Sequence, residues 1–521
     1  MNTAEFLTIA NAICPDKLAI VFEKKRYTFS QLNERANRLG NALTKLGVKK
    51  GDRVAMLQVN TNQCVETYFA VAKIGAVYVP LNFRGRGSEL SYMLNSSEAN
   101  TILAGERYLD LVNSIKPEVA SLKNIVSLDN PHPGVLYYED LIKSSSPDEI
   151  FTEISDDDMT ILMYTAGTTS FPKGVMLPHN SFSVYVLENV TPADMESEES
   201  NILTVPLYHV AGIQAMMAAI YGGRTLVMER QFEPVEWMGL VETEKVSRAM
   251  MVPTMVKQLL DHPDFSKHNL SSLKVITYGA APMPLEVIKK ALEAFPGVNF
   301  INAFGQTETA STITTLGPED HNITGTPEEK EKKLKRLSSI GRPMSDIEMK
   351  VIDEEGKDLP VGEVGEIIAR GPRVMSGYWK DKEKTDKTID KEGWVHTGDM
   401  GYKDEAGYYF LSGRTTDMLK RAGEWISPEE VEAVLRTFHK VDDVAIIGVP
   451  DPEWGEVPLC VCVPKEGLAC TPEEIMEYCR TNLASFKRPR SVVFVKELPR
   501  NPMGKVLKRV LRDQYGKPPT P

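Results

Sequence analysis

Tyr164–Gly174 reads Tyr-Thr-Ala-Gly-Thr-Thr-Ser-Phe-Pro-Lys-Gly, and an apolar run from Met159 leads into it. Hydroxyls, two glycines and a lysine crowd into one short loop. Glycine lets a backbone approach a ligand and adopt unusual torsions. Successive backbone N–H groups and threonine hydroxyls can ring a polyphosphate, and Lys173 adds a point charge. The residue order is not the common Gly-x-x-x-x-Gly-Lys-Ser/Thr. A polar surface turn is the bland alternative, but clustered hydroxyls ahead of Pro-Lys-Gly are unusual for one. The stretch reads as a phosphate loop of another kind.

Working outward, short apolar strands alternate with helical segments. Strands are expected at 18–24, 26–29, 54–57 and 75–81, with helices at 31–46, capped by Ser30, and at 64–73. The alternation recurs through 199–260, with a helix at 214–221, and again as strand 275–278, helix 284–294 and strand 299–303. Such alternation predicts an α/β protein. The charge-dense stretch 326–337 reads as a solvated loop or short surface helix. Glycine-punctuated short strands over 340–409 predict a β-rich subdomain, and the tail reads as a small α+β domain. The expected division is a large N-terminal domain of layered sheets and helices, 1–413, and a mobile C-terminal domain, 414–521.

A chain of 521 residues predicts at least two domains. A net charge of −12 without a basic domain argues against nucleic acid, and means that an anionic substrate must find a local positive site. The six cysteines form no Cys-x-x-Cys pair; Cys460 and Cys462 alternate on an apolar strand, which reads as buried thiols rather than zinc ligands. No cationic-then-apolar leader opens the chain and no apolar run reaches about 18 residues, so cytoplasmic residence is expected, with peripheral membrane contact left open.

Further motifs follow. Pro206-Leu-Tyr-His209-Val210-Ala-Gly212 sets a histidine between an aromatic ring and small residues that could line an apolar pocket. Tyr278-Gly279-Ala280-Ala281-Pro282 ends a strand, where α/β sheets bind ligands. Asn302-Ala303-Phe304-Gly305-Gln-Thr307-Glu308 joins an aromatic ring, a hydroxyl and a carboxylate. Then come Trp394-Val-His-Thr-Gly-Asp399, Gly413-Arg414-Thr-Thr416-Asp417, Lys420-Arg-Ala422-Gly423-Glu424-Trp425, and Pro499-Arg-Asn-Pro-Met-Gly-Lys505.

In this order the motifs, from about residue 160 to 509, resemble the adenylate-forming superfamily of acyl-CoA synthetases, peptide-synthetase adenylation domains and luciferases. Ser170 stands where the loop pattern has glycine. The resemblance implies ATP, Mg²⁺ and CoA. Carried over, Thr165, Ala166, Gly167, Thr168, Thr169 and Lys173 hold phosphates; Gly279, Ala280, Ala281, Asn302, Ala303 and Phe304 surround adenine; and Thr307 meets the α-phosphate. Asp399 and Arg414 take the ribose from two sides, and Trp425 completes the nucleotide set. Thr168 and Glu308 are implied for the metal. His209, Val210, Gly279 and Gly305 are implied for the acid, and Ala422, Gly423 and Glu424 for CoA. Lys505, with His209 and Lys420, is implied as catalytic.

The implied activity is ATP-dependent acid:CoA ligation. A carboxylic acid, aryl or medium- to long-chain aliphatic, becomes acyl-AMP with release of pyrophosphate, and the acyl group then passes to CoA. A stand-alone enzyme loading a carrier-protein thiol is the alternative, and a non-catalytic nucleotide sensor a third reading. A homodimer is among the expectations. The family runs its two steps in two orientations of the small domain, about a hinge at 414–417. Thr416 stands where the family has Asp or Lys, so rotation is expected to rely on backbone freedom rather than on a salt bridge.

Overall fold

Strands buried on both faces need helices on both sides, and the chain meets that need with two largely parallel sheets. The computed structural model describes residues 1–165, 172–421, 424–500 and 506–516, with Lys420 and Glu424 placed by their backbone. Ala166, Gly167, Thr168, Thr169, Ala422, Gly423 and Lys505 lie outside the described residues. The chain divides into two units. The first is Met1–Leu337 with Pro343–Glu348 and Arg370–Val395; the second is Ser338–Arg342, Met349–Ala369 and His396–Pro521.

In the first unit, one sheet runs Ser311–Leu316, Asn299–Gln306, Val275–Gly279, Arg248–Met251, Ser200–Leu203, Thr225–Met228, Leu18–Phe22 and Lys25–Thr28. Its interior is parallel, and antiparallel hairpins close this run at both ends. The other runs Gly377–Tyr378, Lys173–Pro178, Met159–Thr165, Val77–Pro80, Arg53–Leu57, Thr101–Ala104, Asn124–Ser127 and Leu136–Tyr137. All twelve residues of helix Asn62–Lys73 are buried, charged ones included. Burial of those charges is tolerable because they are paired. Glu66 accepts from Arg35 Nε at 2.9 Å and from the Tyr138 hydroxyl at 2.7 Å, and Lys73 donates to Asn33 and Asn37, each at 2.8 Å.

In the second unit, a sheet ordered Glu348–Ile352, Gly365–Arg370, Val395–Lys403, Tyr409–Arg414 forms the β-rich part. The tail builds a second sheet, Glu424–Ile426, Leu419–Arg421, Gly455–Pro464, Val441–Asp451, with Ser491–Phe494 parallel to Gly455–Pro464. Cys460 and Cys462 face helix Pro472–Asn482 in an apolar core with Ile475 and Cys479, and all six cysteines are free thiols.

Local chemistry moved several boundaries. The first long helix is Phe29–Lys45, capped by Thr28 rather than Ser30. The Thr28 hydroxyl accepts from the Gln31 N–H at 3.2 Å, and the Gln31 side chain accepts from the Thr28 N–H at 2.9 Å. That reciprocal pair satisfies two otherwise orphaned donors. The helix expected at 214–221 begins at Val210, and the strand expected to end at Ala303 continues to Gln306. The charged stretch is a surface helix, Pro327–Arg336, boxed by Thr326 and Glu329. Among the described residues, no helix is long and apolar enough to cross a membrane.

Candidate active site

The loop expected to bind phosphate lies between two antiparallel strands. Met159–Thr165 pairs with Lys173–Pro178, with Tyr164 opposite Gly174 and Thr165 opposite Lys173. The two loop ends are therefore pinned by a strand ladder. Lys173 Nζ lies 5.0 Å from the centre of the Tyr378 ring, and the Tyr378 hydroxyl donates to Glu308 Oε1 at 2.9 Å. Tyr378 is fixed in turn by its N–H, which donates to Thr385 Oγ1 at 2.8 Å, and by pairing with Val175. Burial, with the Glu308 charge beside it, pushes the Tyr378 hydroxyl above its usual range, so it remains a proton donor to that carboxylate. A cavity of about 420 Å³, lined in part by Lys173, Tyr378, Ser96 and Lys384, opens beside this relay.

Glu308 sits on one turn of 3₁₀ helix, Thr307–Thr309, directly after strand Asn299–Gln306. The Gln306 N–H donates to Thr309 Oγ1 at 3.0 Å, which closes the turn. The chain then doubles back through Ala310 and Ser311, at φ 50° and 87°. These are left-handed torsions that non-glycine residues rarely hold, and they cluster at functional sites. Gly305 belongs to the same fold-back: a Cβ there would lie 1.4 Å from the Ser311 carbonyl oxygen. A Cβ at Gly279 would lie 2.0 Å from the Ala303 carbonyl oxygen. Backbone approach therefore dictates both glycines, beyond any room they leave for a ligand. Gly279 and Ala303 are cross-strand partners, which brings two of the quoted motifs together. Ala280 and Ala281 are exposed just beyond the strand end, with Ala280 at φ 65°; Asn302, Phe304 and Thr307 are half-buried.

His209 precedes helix Val210–Tyr221. Its ring lies 4.2 Å from the Tyr208 ring, and its Nε2 is buried with no hydrogen-bond partner among the described residues. Burial, with Arg84 nearby, lowers its pKa to about 4, so the imidazole is neutral at ordinary pH. The helix is tied to the Glu308 corner where Thr312, partner of Gly305, donates to Gln214 Oε1 at 2.9 Å.

In the second unit, Asp399 and Arg414 are cross-strand partners joined by an ion pair, Arg414 Nε to Asp399 Oδ1, at 2.7 Å. Asp399 is buried, and Arg414 also donates to the Thr397 carbonyl at 3.1 Å. Glu366 braces the same strand just before Asp399, meeting His396 Nδ1 at 2.9 Å and accepting from the Gly398 N–H at 3.1 Å. Lys420 and Trp425 are backbone partners in an antiparallel strand pair, as are Arg421 and Glu424. Trp425 is half-buried and Thr416 exposed. Thr416 itself carries no charge, and the adjacent Asp417 pairs with Arg512. Asp417 reaches a partner nearly a hundred residues away, a contact that sequence spacing cannot show.

Tyr378, Glu366, Gln214 and Arg512 were missed by sequence reading. Their signal is tertiary, apart from a Gly-Tyr-Trp run at 377–379 whose role nothing local defines. Among the described residues no group of three or more His, Cys, Asp or Glu side chains could hold a metal. A single carboxylate suits Mg²⁺ that arrives on nucleotide phosphates, since that ion keeps waters and takes one or two protein carboxylates.

The chain matches the AMP-binding enzyme family over residues 8–379 and the AMP-binding enzyme C-terminal domain over 430–505. It is 34% identical to a feruloyl-CoA synthase of Amycolatopsis sp over 490 residues, 94% of each chain. It is 31% identical to the long-chain-fatty-acid–CoA ligase FadD13 of Mycobacterium tuberculosis over 493 residues, 94% of this chain and 93% of that one. The crystal structure of the anthranilate CoA ligase AuaEII in complex with anthranoyl-AMP superposes with a TM-score of 0.88 at 29% identity, covering 99% of this chain and 97% of that one. The chain belongs to the AMP-binding enzymes of the adenylate-forming superfamily, in its branch of fatty- and aryl-acid CoA ligases.

Proposed function

We propose that this AMP-forming acid–thiol ligase activates an aryl or aliphatic carboxylic acid with ATP and passes the acyl group to CoA. The carboxylate oxygen attacks the α-phosphorus, the bond to the bridging oxygen breaks, and pyrophosphate leaves. A thiolate then attacks the acyl carbon and AMP leaves. The first step is mainly positioning and charge stabilisation. Lys173 and the loop 165–169 receive the phosphates, Thr307 the α-phosphate, and Lys505 the charge developing in the transition state. Asp399 and Arg414 serve the ribose, and 420–425 the thiol step. Glu308, with Thr168, would hold Mg²⁺, which when bound neutralises phosphate charge.

The observation that carries this reading is the relay from Lys173 across the Tyr378 ring to Glu308, which gathers a cation and a carboxylate at adjoining strand ends. The neutral His209, with its buried Nε2 unpartnered among the described residues, supports a role beside the acid, where it can donate to a carboxylate oxygen without carrying charge. We place the functional boundary at 413/414, with the hinge at 414–417, and the protein in the cytoplasm, where its free thiols stay reduced. The test is pyrophosphate release with a panel of aryl, aliphatic and amino acids, with and without CoA. Release with aryl or aliphatic acids, and thioester only when CoA is added, is expected. Turnover confined to amino acids, or no release with any acid, overturns it.

A further inference from the structure

Residues 415–418 connect strand Tyr409–Arg414 of one sheet to strand Leu419–Arg421 of the next. The bonds of this connector divide sharply. Thr415 belongs to the first sheet: its N–H and its hydroxyl both donate to the Gly398 carbonyl, at 2.8 and 3.1 Å. From the very next residue the side-chain bonds go elsewhere. The Thr416 carbonyl accepts from Arg512 Nη1 at 2.8 Å, and the Asp417 carboxylate pairs with the same guanidinium. Two local bonds, from the Asp417 and Met418 N–H groups to the Arg414 carbonyl, each 2.8 Å, close the turn across this division.

Arg512 lies on helix Lys508–Tyr515, which begins three residues after Lys505. Four residues earlier on the same helix face, Lys508 pairs with Glu432 at 2.9 Å and Glu429 at 3.1 Å on helix Pro428–Arg436. One face of the last helix thus grips both the small-domain core and the connector. An arginine fork suits this task, because it can bind a carbonyl and a carboxylate at once in fixed geometry.

We infer that Arg512 is the positioning residue of the hinge: it makes Thr416 and Asp417 part of the C-terminal body, so that rotation occurs at the Thr415–Thr416 junction and helix Lys508–Tyr515 turns in fixed phase with it. Thr416 needs no charge of its own, because the charge that steadies the pivot comes from the C-terminal helix. The inference rests on the two-step reading above, but one arm of its test does not.

The first arm is hydrogen exchange of the full-length protein, comparing Arg512→Ala and Arg512→Lys with wild type. Exchange of the amides at 416–418 is expected to accelerate about tenfold in Arg512→Ala, as for loss of a charge-assisted bond, and less in Arg512→Lys, which keeps the charge but not the fork. Protection elsewhere in the tail sheet should be unchanged. The second arm compares acyl-AMP formation from ATP and acid with thioester formation from supplied acyl-AMP and CoA. The ratio of the two rates is expected to change about tenfold in Arg512→Ala, with partial recovery in Arg512→Lys. Unchanged exchange at 416–418, or two rates that fall by the same factor along with thermal stability, overturns the inference. Wild-type protein that makes no acyl-AMP overturns the proposed chemistry instead, and the exchange arm still decides the role of Arg512.

Discussion

Glu308, proposed for the metal, and Thr416, proposed for the hinge, are held in two different ways. Glu308 follows an eight-residue strand, its turn is closed by Thr309, its carboxylate is held by Tyr378, and the return strand starts from two left-handed residues. Thr416 sits exposed in a four-residue connector, held by one arginine and a few turn bonds. Strained torsions persist only where surroundings over-determine them, as at 310–311. A connector proposed to change its torsions would need the reverse: few bonds, each replaceable. The first region is fixed from several strands at once; the second is a turn joining two sheets, held by few contacts.

The sharpest way to break the comparison is Lys505→Ala. Removing one preorganised charge from the adenylation step is expected to cut acyl-AMP formation about 10²- to 10³-fold. Thioester formation from supplied acyl-AMP should remain near wild type. Equal loss in both assays would sink the idea that this lysine serves only one orientation.

Tyr378→Phe probes the rigid corner. It deletes only the hydroxyl that steadies Glu308, so about a tenfold rise in the Mg²⁺ concentration needed for half-maximal adenylation is expected, along with weaker stabilisation of the protein by Mg-ATP in thermal unfolding. Glu308→Gln should shift both readings further. An unshifted Mg²⁺ titration in Tyr378→Phe, beside a shifted one in Glu308→Gln, would show that the hydroxyl does not set the carboxylate.

Thr416→Pro tests the soft region. Proline fixes φ and pushes the preceding Thr415 away from helical torsions. The two half-reactions should separate several-fold, one slowed and the other kept. Wild-type rates for both would move the pivot elsewhere in 413–418.

A last prediction, on stability rather than on rate, lies in the large sheet. Glu229, fully buried after strand Thr225–Met228, has a pKa raised to about 9 by burial and by Glu236. The native state therefore keeps its proton where the unfolded chain, with a carboxyl near 4.5, releases it. Stability from this group is full below about 4.5 and falls as pH rises toward about 9. Glu229→Gln should flatten that alkaline decline in melting temperature while leaving acid pH nearly unchanged. A slope identical to wild type between pH 5 and 9 would mean that the carboxyl is ionised in the native protein.

Much of this protein could be read without coordinates. Apolar periodicity and turn residues determined the strand–helix alternation, because both are local properties of the chain. The loop at 164–174, the Thr307-Glu308 pair and the 413–417 connector were visible because each is a short run of unusual chemistry. Helix starts were less legible: Thr28 and Ser30 are both good caps, and only the position of the Gln31 side chain chose between them. What the sequence could not hold was any pairing across distance. Tyr378 meets Glu308 seventy residues away, Gln214 meets Thr312, and Arg512 reaches Asp417 from the last helix. Gly279 and Gly305 were legible as small residues, but their necessity comes from carbonyls of neighbouring strands. Local propensity and composition are written residue by residue. Cross-strand register and the meeting of distant side chains are properties of the folded sheets, and only the tertiary structure decided them.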